Sequence, residues 1–175
     1  KQKIKLEPGW RAEINPEMVQ WIRSTARKLT NGFLFLIDYG HEAGELYSAA
    51  HSSGTLTTYY RQRVFNETLE NTPAWLVEPG SRDITAHVDL TAVRQAAESE
   101  GLLTLGVLDQ TYFLLGLGAL DYVSSGDHIS QIKRRLALKS LLIPGGIGST
   151  HKVLIFSAGI KPVRLAGCSY DIRTT

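Results

Sequence analysis

The segment Asp83-Ile84-Thr85-Ala86-His87-Val88-Asp89 sets a histidine between two carboxylates, directly ahead of an apolar, helix-spaced stretch. Histidine gives or takes a proton near neutral pH. Asp89 is most simply the N-cap of that helix, which leaves His87 able to face a cleft. A second candidate is Asp38-Tyr39-Gly40, closing the apolar run Phe33-Leu34-Phe35-Leu36-Ile37. In open α/β sheets, ligands sit just beyond the carboxyl ends of buried strands. Tyr59-Tyr60-Arg61-Gln62-Arg63 offers aromatics beside fixed cations. That set can hold a carboxylate or a peptide, or be an exposed loop whose salt bridges contribute little. Glu13 has the carboxylate that pairs bidentately with a guanidinium.

Other patterns fail for want of context. Gly116-Leu117-Gly118 begins a dinucleotide fingerprint, but Asp121 occupies the third glycine position. The segment lies in an apolar helix rather than after a strand, so close helix packing explains it better. Gly145 to Lys152 imitates a phosphate loop with a misplaced Lys and a strand following, and reads as a turn. His41, His51, His87, His128 and His151 are scattered without paired ligand spacing, so no metal site is expected. No GxSxG elbow is present. A hydrolase built on His87 and Asp89 would lack a neighbouring nucleophile.

The elements that position these residues follow from periodicity and punctuation. Asn15-Pro16-Glu17 starts a helix through cap, first-position proline and first-turn acid. Met18, Ile22, Ala26 and Leu29 continue it at helical spacing, with Trp21 beside them, until Asn31-Gly32. The run over 33–38 reads as a strand buried on both faces. Residues 41–82 hold several turn formers but also Tyr47, Tyr59, Tyr60, Phe65 and Trp75, which predicts a structured insertion over the strand ends. A short extended piece over 83–88 precedes a helix over about 90–100, with Leu90, Val93, Ala96 and Ala97 inward and Gly101 as its stop. Leu102–Leu108 is a second buried strand. Tyr112–Leu120 and Ile129–Leu142 are helices, the latter broken by Pro144-Gly145-Gly146. Lys152–Ser157 is a third buried strand. Strands alternating with helices predict an α/β layered sheet, thin for its length.

Composition bounds the class. Of 175 residues 43% are hydrophobic and 21% charged, ordinary for one globular domain with a real core. A net charge of +2 gives no strong field toward nucleic acid or membrane. The short basic run Lys133-Arg134-Arg135 reads as a solvated helix face. No apolar run reaches the roughly 18 residues of a membrane span. Cys168 is the sole cysteine, so no internal disulfide forms, as suits a reducing compartment. The first residue, Lys1, reads as the start of a processed or truncated chain.

Taken together, Ile37-Asp38-Tyr39-Gly40-His41, Gly54-Thr55-Leu56 with Tyr59-Tyr60 and Arg63, the Asp83–Asp89 block, and Asp109-Gln110 before Phe113-Leu114 occur in an order that resembles the MidA family of S-adenosylmethionine-dependent methyltransferases. The resemblance runs over about 7–157. It implies a Rossmann-like class I methyltransferase fold. The chain would be its C-terminal half: the last three strands, the final one antiparallel, in a single partial domain over 1–175 with an inserted substrate-side segment at about 41–82. The glycine-rich S-adenosylmethionine loop is expected in a preceding half, since no GxGxG follows a strand here, so this portion alone should bind the cofactor poorly and be inactive.

What it would supply is the wall of the substrate cleft. The resemblance implies a protein substrate methylated on arginine, as in mitochondrial members that support respiratory complex I assembly. Asp38, Asp89 and Glu13 become candidates to orient a guanidinium, and His87 a proton acceptor or orienter. Tyr39, Gly40, Tyr60 and Arg63 are candidate substrate contacts. A bacterial cytoplasmic protein is the favoured setting, or the mitochondrial matrix for a eukaryotic one. The competing reading is a non-catalytic module that binds a partner through the aromatic-rich insertion.

Overall fold

The computed structural model describes residues 4–61, 63–64, 72–124, 127–143, 146–161 and 163–170. Gln62, Phe65, Pro144 and Gly145, singled out in the sequence, lie outside them. The chain has a mixed α/β architecture and divides into two compact units, Lys1–Pro16 with His41–Leu90, and Glu17–Gly40 with Thr91–Thr175.

The second unit is built on apolar strands. Helix α1 (Pro16–Lys28) begins at the expected proline, with Glu17 in its first turn and Arg27 and Lys28 in its last. Its inward face buries Ile22 and Ala26. Strand β1 (Gly32–His41) follows. Helix α3 (Leu90–Ser99) buries Leu90, Val93, Ala96 and Ala97, the four residues its periodicity selected. Arg27 of α1 donates two hydrogen bonds to Glu100, at 2.9 and 3.1 Å. Strand β6 (Leu103–Asp109) leads into α4 (Gln110–Gly116), α5 (His128–Leu142), α6 (Ile147–Thr150) and strand β7 (His151–Ala158).

Strand β7 pairs antiparallel with β1 on one side and with β6 on the other. The antiparallel final strand is thus present, and the sheet is mostly antiparallel. Val153, Leu154, Ile155, Phe156 and Ser157 are all buried, so β7 is the covered centre of this sheet. Leu108, Val153 and Ile155 form a core cluster with Leu105, Phe113, Leu165 and Cys168 packed against it.

Strand β1 corrects the sequence reading. Burial on both faces was expected, but Phe33, Phe35 and Ile37 are 37%, 46% and 54% exposed. Side chains alternate across a strand, and within this chain one face of β1 is left largely uncovered. Helix α4 also stops at Gly116, short of the expected Leu120. A Cβ on Gly116 would lie 2.5 Å from the Ala166 carbonyl oxygen, so the glycine serves close packing as its context suggested. Asp127 caps α5, accepting from the Ile129 and Ser130 N–H groups at 3.0 and 3.1 Å. The Ser130 hydroxyl, 2.6 Å away, is the main reason its carboxyl titrates below the usual range.

The first unit is organised differently. It holds the short helix α2 (Ala43–Leu46), strands β2 (Thr57–Tyr60), β3 (Arg63–Val64), β4 (Asp83–Thr85) and β5 (Val88–Asp89), and tight turns at Ala49–His51 and Ala74–Leu76. The described residues of the 41–82 segment form these short elements, with Tyr47, Tyr59, Tyr60 and Trp75 among them. Strands β3, β2 and β4 form an antiparallel sheet in that order. Arg11 joins the unit through a bridge to Ser53, its N–H donating to the Ser52 carbonyl at 2.9 Å. Among the described residues, no helix is long and apolar enough to cross a membrane.

Candidate functional site

The first unit gathers its polar side chains around a Glu13–Thr55–His87 relay. The Thr55 N–H and hydroxyl both donate to Glu13 Oε2, at 2.8 and 3.0 Å. Thr55 Oγ1 in turn accepts from the His87 backbone N–H at 3.0 Å. Gly54 makes this possible in two ways. Its φ is +81°, a conformation that strains other residues, and a Cβ there would lie 2.3 Å from Glu13 Oε1. A substrate contact was expected of Glu13. The structure makes it a strut whose carboxylate also borders an open cleft of ≈ 650 Å³, walled by Trp10, Leu56 and Trp75.

Three histidines converge beside this relay. The His41 ring lies 4.8 Å from that of His51 and 4.9 Å from that of His87, and the His51 and His87 rings are 6.1 Å apart. One ring nitrogen of each falls within 4.8 Å of the others. Their placement in sequence concealed this, because His41 ends β1, His51 ends the 49–51 turn and His87 stands between β4 and β5. The scatter that argued against a metal-ligand set is therefore a property of the sequence and not of the fold.

Glu45 serves two of the three rings. Its carboxylate is 3.1 Å from His41 Nδ1, and its backbone carbonyl is 2.9 Å from His51 Nδ1. Burial, followed by the nearby His41 and His51, lowers the pKa of His87 against the weaker opposing pull of Glu13 and Glu45. His87 is thereby a neutral imidazole at neutral pH.

Asp89 accepts a hydrogen bond from the Tyr47 hydroxyl at 3.2 Å. Burial first, then the Asp89 charge and this bond, push the Tyr47 phenol up to about 12. Tyr47 was noted in the sequence only as an aromatic of the insertion. Its role as donor to a candidate carboxylate appears only when the helix α2 region is folded against residue 89. Tyr60 and Arg63 are cross-strand partners on β2 and β3. Arg61 and Arg82 stack on the Tyr60 ring at 5.3 and 5.2 Å, beside a smaller cleft of ≈ 510 Å³ that Arg63 also lines.

Asp38, Tyr39 and Gly40 belong to the other unit. Asp38 is exposed and faces Lys152 across the β1–β7 pairing, its carboxylate accepting from the Tyr39 N–H at 2.8 Å. Lys152 donates to Asp109, its partner on β6. Tyr39 meets the His151 ring edge-on at 5.6 Å, and Gly40 is buried. The ends of β1 and β6 thus carry a carboxylate–ammonium–carboxylate row, of which the sequence pointed to the two acids but not to Lys152.

Comparison with known proteins bears on what these groups serve. Residues 1–108 match a family model described as "Putative S-adenosyl-L-methionine-dependent methyltransferase". The chain is similar to a solved COG1565 superfamily protein from Burkholderia thailandensis, with 30% identity and a TM-score of 0.88 over 99% of this chain and 45% of that one. It is also similar to a COG1565 superfamily member from the same organism bound to S-adenosyl-homocysteine. There the identity is 30% and the TM-score 0.87, over 98% of this chain and 43% of that one. The chain therefore spans less than half the length of either. No curated protein matches it.

Proposed function

The chain belongs to a family of S-adenosyl-L-methionine-dependent methyltransferases, and from that premise we propose that it is the substrate-side portion of such an enzyme, acting on arginine of a partner protein. The observation that carries the reading is the S-adenosyl-homocysteine held by a solved structure that nearly this whole chain resembles. S-adenosyl-homocysteine is what remains when the methyl donor has reacted. The Ile37–His41 and Asp83–Asp89 blocks support a place in the MidA branch. The absence of a GxGxG after any strand supports a cofactor loop supplied by residues outside this chain.

Methyl transfer from a sulfonium needs alignment of the nucleophile with the methyl carbon more than strong acid–base work. A guanidinium nitrogen forms the new N–C bond, the C–S bond breaks with its electrons going to sulfur, and the guanidinium gives up one proton, which passes to solvent water. A carboxylate that holds the guanidinium by charge-assisted hydrogen bonds also orients it. Asp38 is exposed and so open to substrate. Asp89 is positioned by Tyr47. Each, within its own unit, is a candidate for the orienting role.

Full-length protein with methyl-labelled S-adenosylmethionine and candidate protein substrates should place label on arginine, located by mass spectrometry. Asp38→Asn and Asp89→Asn should each lower turnover about tenfold or more through lost orientation, with cofactor affinity kept. A folded full-length protein that shows no S-adenosylmethionine binding by calorimetry would sink the enzyme reading. Label on a different residue type would sink the arginine assignment.

A further inference from the structure

We infer that His41, His51 and His87 form a binding site for one divalent transition-metal ion of the zinc class, with three imidazole ligands and a fourth position open to water. The inference goes beyond methyl transfer and does not depend on it.

Geometry carries it. Three imidazoles around a tetrahedral zinc ion at roughly 2.0 Å place their ligating nitrogens about 3.3 Å apart. Here one nitrogen from each ring already lies within 4.8 Å of the others. Contracting such a triangle onto an ion moves each nitrogen by less than about 1 Å, within the reach of small side-chain rotations. All three histidines lie in the same compact unit, so no rearrangement between units is needed.

The surrounding hydrogen bonds prepare the ligands. A backbone carbonyl can only accept, so the contact between Glu45 O and His51 Nδ1 puts the proton on Nδ1. The ring lone pair of His51 is then on Nε2. The Glu45 carboxylate does the same for His41 through Nδ1. A carboxylate or carbonyl behind each ligating imidazole is the usual second layer of a histidine metal site, fixing tautomer and ring orientation and raising basicity. The third ring is anchored from its backbone, by the His87 N–H bond to Thr55. Three neutral nitrogens suit zinc and its borderline neighbours rather than magnesium or calcium, which prefer oxygen.

A bound ion would tie together the end of β1, the 49–51 turn and the segment between β4 and β5. That gives His87 a different task from the proton acceptor suggested by its sequence setting. The three-histidine pattern with an open position is the one used where an exchangeable ligand is needed.

Cobalt(II) is the probe. Untagged protein stripped with chelator and titrated with Co²⁺ should develop the visible bands of a tetrahedral site, saturating at one equivalent, and Zn²⁺ should abolish them. His41→Asn and His51→Asn should remove the bands. Glu45→Gln, a change at an exposed side chain, should weaken binding about tenfold while leaving the fold intact. His128→Asn, outside the cluster, should titrate like the parent. Absence of the bands in the parent protein, or saturation unaltered in His51→Asn, overturns the site. Should the histidine variants unfold by circular dichroism, the Glu45→Gln titration decides, since unchanged affinity there also overturns it.

Discussion

Strand β7 and the loop-rich unit around Thr55 achieve order by opposite means. Along β7 five consecutive residues are buried, four of them apolar. Around Thr55 the strands are two to four residues long, and the buried side chains include Thr55 and Thr58. There the chain is held by Glu13, by the Thr55 hydroxyl and by a glycine that lets the carboxylate approach. Apolar burial tolerates many solutions of similar volume. A polar relay does not, because each member left without its partner costs the full desolvation of that group. The region held by polar contacts is therefore the one in which single atoms matter most.

Mutation can break or sharpen this contrast. The largest effect is expected at Phe156, which is 0% exposed. Phe156→Ala should cost about 3–5 kcal/mol in chemical denaturation, the cost of a large core cavity, whereas Phe156→Leu should cost much less. Gly54→Ala comes next, at about 2 kcal/mol or more, because the new methyl group is both strained by the positive φ and driven into the Glu13 carboxylate. Its signature is faster amide exchange at Thr55 and His87 with the amides of β7 still protected. Equal loss of protection along β7 would show that the two kinds of order are not separable.

The smallest effect concerns pH. The Tyr47 phenol is raised from 10.0 to about 12, so the folded state holds its proton more tightly than the unfolded chain. The associated stability is fully present below pH 10 and is lost as pH rises toward 12. The difference in phenolate absorbance between the parent and Tyr47→Phe should therefore appear late in an alkaline titration. A Tyr47 transition near 10 would remove the Asp89 contact from the description of the site.

Much of the fold was legible because its signals are local. The Asn15-Pro16-Glu17 start marks α1, the spacing of Leu90, Val93, Ala96 and Ala97 marks α3, and apolar-rich runs mark β6 and β7. The same rule misread β1. An apolar run states that a strand has two hydrophobic faces and not that both are covered, and Phe33, Phe35 and Ile37 remain on an exposed one. At the site, Asp89 and His87 stood out through their neighbours in sequence, and Asp38 through its place at a strand end. Tyr47 and the His41–His51–His87 cluster did not, because their partners lie on other segments. Glu13 stands out in sequence for its charge, and its hold on Thr55 appears only in the structure.

The chain's own order of residues determined the mixed α/β class, the principal helices and strands, and the methyltransferase family. These depend on periodicity, caps and contiguous blocks, which are properties of neighbours along a polymer. Folding alone decided which ionisable groups meet. Imidazoles brought together from a strand end, a turn and a connecting segment are joined by loop closure, whose cost grows only slowly with the length of chain between them. Their separation in sequence therefore carries almost no information about their separation in space.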